Sequence, residues 1–87
     1  MRSAEIRVTK EENLHLRPMQ LLVETATGFK SRLTIKRGAK FADAKSILDV
    51  MLLAAERGPL AIEAEGCDAD AALDALSRLL HNELNKG

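Results

Sequence analysis

The first polarity signal in the chain is an alternation. Ala4, Ile6 and Val8 are apolar, while Glu5, Arg7 and Thr9 between them are polar. A period of two predicts a strand over residues 4–9 with one wet face. The polar run Lys10-Glu11-Glu12-Asn13 interrupts it, after which Met19, Leu22, Val23 and Ala26 recur at the spacing of one helical face. A helix from Leu16 to Thr27 follows, with Gly28 as its natural stop. Leu33 and Ile35 then alternate with Arg32, Thr34 and Lys36 until Arg37-Gly38 breaks the pattern, and Lys40-Phe41-Ala42 can return as the second arm of a hairpin.

Ser46-Ile47-Leu48-Asp49 has the form of a capping box: the hydroxyl caps one helical N–H and the acid reaches back to another. A second helix therefore starts at Ser46 and ends before Gly58-Pro59. Leu60, Ile62 and Ala64, alternating with Ala61, Glu63 and Glu65, predict a fourth strand closed by Gly66. Asp68 and Asp70 supply caps for a last helix carrying Ala69, Leu73, Leu76, Leu80 and Leu84 on one stripe, with Asn85-Lys86-Gly87 as a fraying end. The order is strand, helix, strand, strand, helix, strand, helix. Alternating strands favour a mainly antiparallel sheet with one covered face, so the expectation is an α+β open-faced β-sandwich with four strands and three helices on one side.

Length and charge narrow what such a fold can do. At 87 residues the chain reads as a single domain spanning 1–87. A domain of this size hides only about 60–65% of the surface its open chain exposes, which disfavours a roomy internal pocket and puts any chemistry on the surface. Thirteen Lys+Arg balance thirteen Asp+Glu, and there are two Phe and no Tyr or Trp. Both the basic field and the stacking platforms of a nucleic-acid binder are therefore lacking. Cys67 is single, so the chain offers no disulfide framework and no multi-cysteine metal site, and no metal-ligand spacing occurs elsewhere. No apolar run nears the ~20 residues of a membrane span. The reading is a cytoplasmic protein with no membrane insertion, no metal and no cofactor, expected to act as a monomer.

One stretch carries chemistry. Asn13-Leu14-His15-Leu16-Arg17-Pro18-Met19 places an imidazole and a guanidinium where a loop becomes a helix N-terminus. Pro18 suits a first helical turn, where its missing N–H is no loss. The N–H groups of Leu16, Arg17 and Met19 then point, with the positive end of the helix dipole, at any anion seated there. Arg17 can add a charge-assisted fork. A neutral imidazole nitrogen is a good nucleophile near neutral pH, and phosphoryl transfer asks mostly for positioning and charge stabilisation. Taken alone, a histidine at a loop end fits a cap or a solvated side chain equally well.

The neighbours shift that balance. Asn13-Leu14-His15-Leu16-Arg17-Pro18-Met19 resembles the Gly-Leu-His-Ala-Arg-Pro-Ala motif of HPr, the histidine phosphocarrier family of the phosphoenolpyruvate-dependent sugar phosphotransferase system. The likeness continues, in the family's order, through Gly28-Phe29, Asp43-Ala44-Lys45-Ser46-Ile47-Leu48, Met51-Leu52 and Glu65-Gly66. The resemblance implies that His15 is phosphorylated on Nδ1 by enzyme I and passes the group to enzyme IIA-type domains, with Arg17 steadying the phosphate. It implies partner docking through Leu16, Gln20, Ile47, Leu48 and Met51, although helical spacing is equally consistent with a core role for Ile47, Leu48 and Met51. Ser46 matches the residue that an HPr kinase/phosphorylase modifies in Gram-positive members; its plain reading is a helix cap. The alternative function is an HPr-like regulatory module that docks a regulator or metabolic enzyme according to its phosphorylation state.

Three departures from the family pattern bear on function. Asn13 stands for the usual Gly, and Asn tolerates positive φ. Leu16 replaces a small residue after the nucleophile, enlarging the patch or narrowing the approach. Asp49 stands where Gly is common, completing the cap and placing a carboxylate one turn from Ser46, where it would oppose a phosphate. His81, near the last helix's end, reads as a dipole-favourable cation. Cys67 reads as a small filler or a surface thiol.

Overall fold

A computed structural model describes residues 2–6, 16–56 and 58–84. Its elements run β1 (Arg2–Ile6), α1 (Leu16–Thr27), β2 (Arg32–Arg37), β3 (Lys40–Asp43), α2 (Ile47–Ala54), β4 (Leu60–Glu65) and α3 (Ala69–Leu84). The order is the expected one. The first strand begins two residues before Ala4, and its expected continuation over Arg7, Val8 and Thr9 lies outside the described residues.

The sheet order is β1-β4-β2-β3, with every neighbouring pair antiparallel. β2 and β3 form a hairpin in which Arg37 pairs with Lys40, leaving Gly38-Ala39 as a two-residue turn. Gly38 has φ +62°, the positive value that such a turn requires at its first position and that glycine adopts without a Cβ penalty.

Period two sorts each strand into faces. Leu33 and Ile35 of β2, Ala42 of β3, and Leu60, Ile62 and Ala64 of β4 are buried. They meet Met19, Leu22 and Ala26 of α1, Val50 and Leu53 of α2, and Ala69, Ala72, Leu76 and Leu80 of α3 in one core. The expected α3 stripe shifts slightly, because Ala72 is fully buried while Leu73 packs only partly against the core. The opposite face of the sheet is wet and charged, with Lys36 Nζ 3.0 Å from Glu63 Oε2.

Three local expectations are corrected. Arg37 is no mere turn residue: the alternation that buries Leu33 and Ile35 carries it to the same inner face, where it is 1% exposed. Its Nε donates to the Gly58 carbonyl at 2.7 Å and its Nη1 to the Ala54 carbonyl at 3.2 Å. Ala54 ends α2, so a cation closes the negative end of that helix.

The capping box at Ser46 is half formed. Asp49 N–H donates to Ser46 Oγ at 3.4 Å, but Ser46 N–H donates to the Asp43 carbonyl at 3.0 Å, which takes the place of the expected Asp49 carboxylate. The tight turn from β3 supplies that acceptor first.

Asp68 turns away from α3. Its Oδ1 accepts from Ser31 N–H at 2.9 Å and from Ser31 Oγ at 2.5 Å, and its Oδ2 accepts from Lys30 N–H at 2.9 Å. The carboxylate thereby ties the start of α3 to the loop between α1 and β2. These donors, the Ser31 hydroxyl foremost, hold the carboxyl below its usual 3.8 despite a partial desolvation cost.

Finally, α1 stops at Thr27 before Gly28, as expected, without a left-handed residue there. The helix closes by tighter bonds, Gly28 N–H to Thr25 O and Phe29 N–H to Ala26 O, both 3.1 Å.

Candidate anion-binding helix terminus and apolar docking face

α1 begins at Leu16, where Pro18 leads the sequence to place a helix start. Pro18 and Met19 face inward, Met19 being 2% exposed, which anchors the first turn on the core. Leu16, Arg17 and Gln20 therefore face solvent, Leu16 being 51% exposed. His15, Asn13 and Leu14 lie outside the described residues, as do Glu11 and Glu12.

The electrostatics of the three helix starts differ. α2 carries Asp49 and α3 carries Asp70 in the first turn, whereas α1 carries no acid there. The leading N–H groups of α1 and their partial positive charge are thus not neutralised within the helix, and the Arg17 guanidinium adds a full charge beside them. Chemically, a helix start of this kind can hold a dianion at the surface.

α2 packs against α1 and is uneven. Val50 and Leu53 enter the core, and Ile47 and Met51 are half-buried against it. Leu48 is 76% exposed, as is Leu52 at 74%, four residues on and so on the same side of the helix. The ambiguity of the helical spacing is resolved residue by residue: Ile47 and Met51 serve the core in part, while Leu48 points out.

Sequence reading missed Leu52 as a surface residue, and Phe41, which is 73% exposed. A signal for Leu52 was available. With Val50 and Leu53 inward, the i+4 partner of an outward Leu48 must also face out. Phe41 gave a weaker one, as the polar-side position in the alternation of β3.

Ser46 is the half-buried N-cap of α2, with φ −115° and ψ 112°. His81 and Cys67 are exposed. Among the described residues no group of His, Cys, Asp or Glu could hold a metal ion, and no helix is long and apolar enough to cross a membrane.

Three comparisons bear on this arrangement. The family model for the PTS HPr component phosphorylation site matches residues 2–82. The phosphocarrier protein HPr of Xylella fastidiosa is 39% identical over 83 residues, covering 94% of this chain and 93% of the relative. Among solved structures, the histidine-containing phosphocarrier protein of a Mycoplasma superposes with a TM-score of 0.88 at 32% identity, over 99% of this chain and 100% of the other. HPr of Thermoanaerobacter tengcongensis gives a TM-score of 0.87 at 32% identity, over 100% and 99%.

Proposed function

Since the chain belongs to the HPr family, phosphocarrier components of the phosphotransferase system and not enzymes, we propose that His15 accepts a phosphoryl group from enzyme I and delivers it to enzyme IIA-type domains for sugar uptake. The observation that carries this reading is the start of α1, free of acids in its first turn and bearing an exposed Arg17, immediately after His15 in the sequence. A P–N bond forms at the imidazole as the donor's phosphoryl bond breaks, and the reverse exchange discharges the group to the acceptor's nucleophile. The carrier's own residues supply position and charge: Arg17 and the leading N–H groups of α1 hold the phosphate oxygens, and no metal or cofactor takes part.

Leu16, Gln20 and Leu48 form the docking patch, with half-buried Ile47 and Met51 as its base. Leu52 extends it. Ser46 acts first as the cap of α2, and the Asp49 carboxylate one turn away opposes a phosphate there. The protein works in the cytoplasm as a single monomeric domain.

The test is incubation with phosphoenolpyruvate and purified enzyme I, read by intact mass and phosphorus NMR beside His15→Ala. One acid-labile, alkali-stable phosphoryl group, absent from the variant, is the expected result. If enzyme I from several sources adds no group, the carrier reading fails and phosphorylation-dependent docking to a regulator takes its place.

A further inference from the structure

β3 ends the sheet, and its free side is not plain. The ladder to β2 runs through alternate pairs: Arg37 faces Lys40, Ile35 faces Ala42, and Ala44 N–H continues the pattern to the Leu33 carbonyl at 2.9 Å. In an antiparallel ladder the residues between those pairs turn their backbone groups the other way. Phe41 and Asp43 therefore direct N–H and C=O outward from the sheet. The Asp43 carbonyl is taken by Ser46 N–H at 3.0 Å. Among the described residues, Phe41 N–H, Phe41 C=O and Asp43 N–H remain as an open edge three groups long.

Beside this edge lies a groove of about 360 Å³, lined by Lys40, Phe41, Asp49, Leu52, Leu53 and Glu56. Phe41 and Leu52 are among the most exposed large apolar side chains. Two carboxylates, Asp49 in the first turn of α2 and Glu56 just beyond its end, outweigh the one lysine. Exposed edges are usually blunted by charge or cover, because they accept another strand. Here the edge is flanked by apolar surface and a net negative rim.

We propose that the β3 edge and the α2 groove together receive an extended segment of a partner protein, one in which basic and apolar residues alternate. Its backbone pairs with Phe41 and Asp43 as an added strand; its apolar side chains fall on the outer sheet face beside Phe41, and its basic side chains fall on the α2 face, where they meet Asp49 and Glu56 and lay their stems on Leu52. Four strand residues span about 13 Å, so the contact is short and its affinity alone is modest, with a Kd on the order of 1 mM. It suits a second, reversible foothold for a protein held elsewhere. The proposal is independent of phosphotransfer at His15.

The test uses the full-length protein and the blocked peptide acetyl-Arg-Val-Arg-Val-Arg-amide, followed by amide NMR. Saturable shifts at the Phe41 and Asp43 amides, with slowed exchange of both, are expected. The acidic peptide acetyl-Glu-Val-Glu-Val-Glu-amide should bind about tenfold more weakly, and Glu56→Lys should weaken the basic peptide by about fivefold, the scale of an exposed charge pair. Equal binding of both peptides, shifts confined to Leu16 and Gln20, or no saturable shift at Phe41 overturns the proposal. So does a dimer of the free protein that protects the same amides, since a second copy would then occupy the groove.

Discussion

Adding one methyl group at Gly66 should cost far more than adding one at Gly28. Gly66 joins β4 to α3 with φ +149°, a conformation L residues rarely adopt. A Cβ built there would sit 2.7 Å from Ser31 Cα and 2.6 Å from Ser31 Oγ. Ser31 cannot withdraw freely, because its N–H and hydroxyl are both held by Asp68, two residues beyond Gly66. Strain at such a φ is worth ~1–3 kcal/mol and forced overpacking ~1–3 kcal/mol, so Gly66→Ala should destabilise by about 2–6 kcal/mol. The whole domain holds only about 4–13 kcal/mol at ~0.05–0.15 kcal/mol per residue, so the variant approaches the unfolding threshold. At Gly28 φ is not positive and the nearest atom to an added Cβ is Thr25 O at 3.4 Å. Gly28→Ala should be neutral or stabilising by up to ~1 kcal/mol through the unfolded chain's lost freedom. Urea unfolding of both variants by circular dichroism decides the matter. Stabilities within about 0.5 kcal/mol of each other would refute the argument from φ and from Ser31.

Arg37→Ala should cost about 3–5 kcal/mol, read by urea unfolding, because it leaves the Gly58 and Ala54 carbonyls without that donor and opens a cavity at a position 1% exposed. A loss below about 1 kcal/mol would show that water replaces the guanidinium. Asp68 has a folded pKa below 3.8, so its contribution is present above the unfolded value and is lost as pH falls through the lower, folded one. Acid titration of stability below pH 3.8 should therefore be shallower in Asp68→Asn than in the native protein, and parallel curves would count against the Ser31 contacts. Ser46→Ala should cost about 0.5 kcal/mol, the low end for a cap, since its bond to Asp49 N–H is long at 3.4 Å. A loss above about 2 kcal/mol in thermal or urea melts would mean that Ser46 does more than cap.

Period two in β2 and β4, the 3.6-residue stripe of α1, Pro18 at the helix start and Ser46 before α2 are local signals, legible because each depends on residues a turn or two apart. They were enough for the element order and the start of α1 directly after His15 in the chain. They also carried the family motif. What they could not carry is any contact between residues distant along the chain. Arg37 and its two carbonyls are 17 and 21 residues apart, and Asp68 reaches across 37 and 38 residues to Ser31 and Lys30. Whether Asp68 caps its own helix or holds a neighbouring loop depends on which donor lies nearer once the sheet has formed. The same holds for α2, where helical spacing grouped Ile47, Leu48 and Met51, and only packing against α1 and the core separated Leu48 from the others. Local patterning determined which segments fold and where charge gathers at the start of α1. Tertiary packing decided which polar groups are satisfied by distant partners, and left Phe41, Leu48 and Leu52 facing outward.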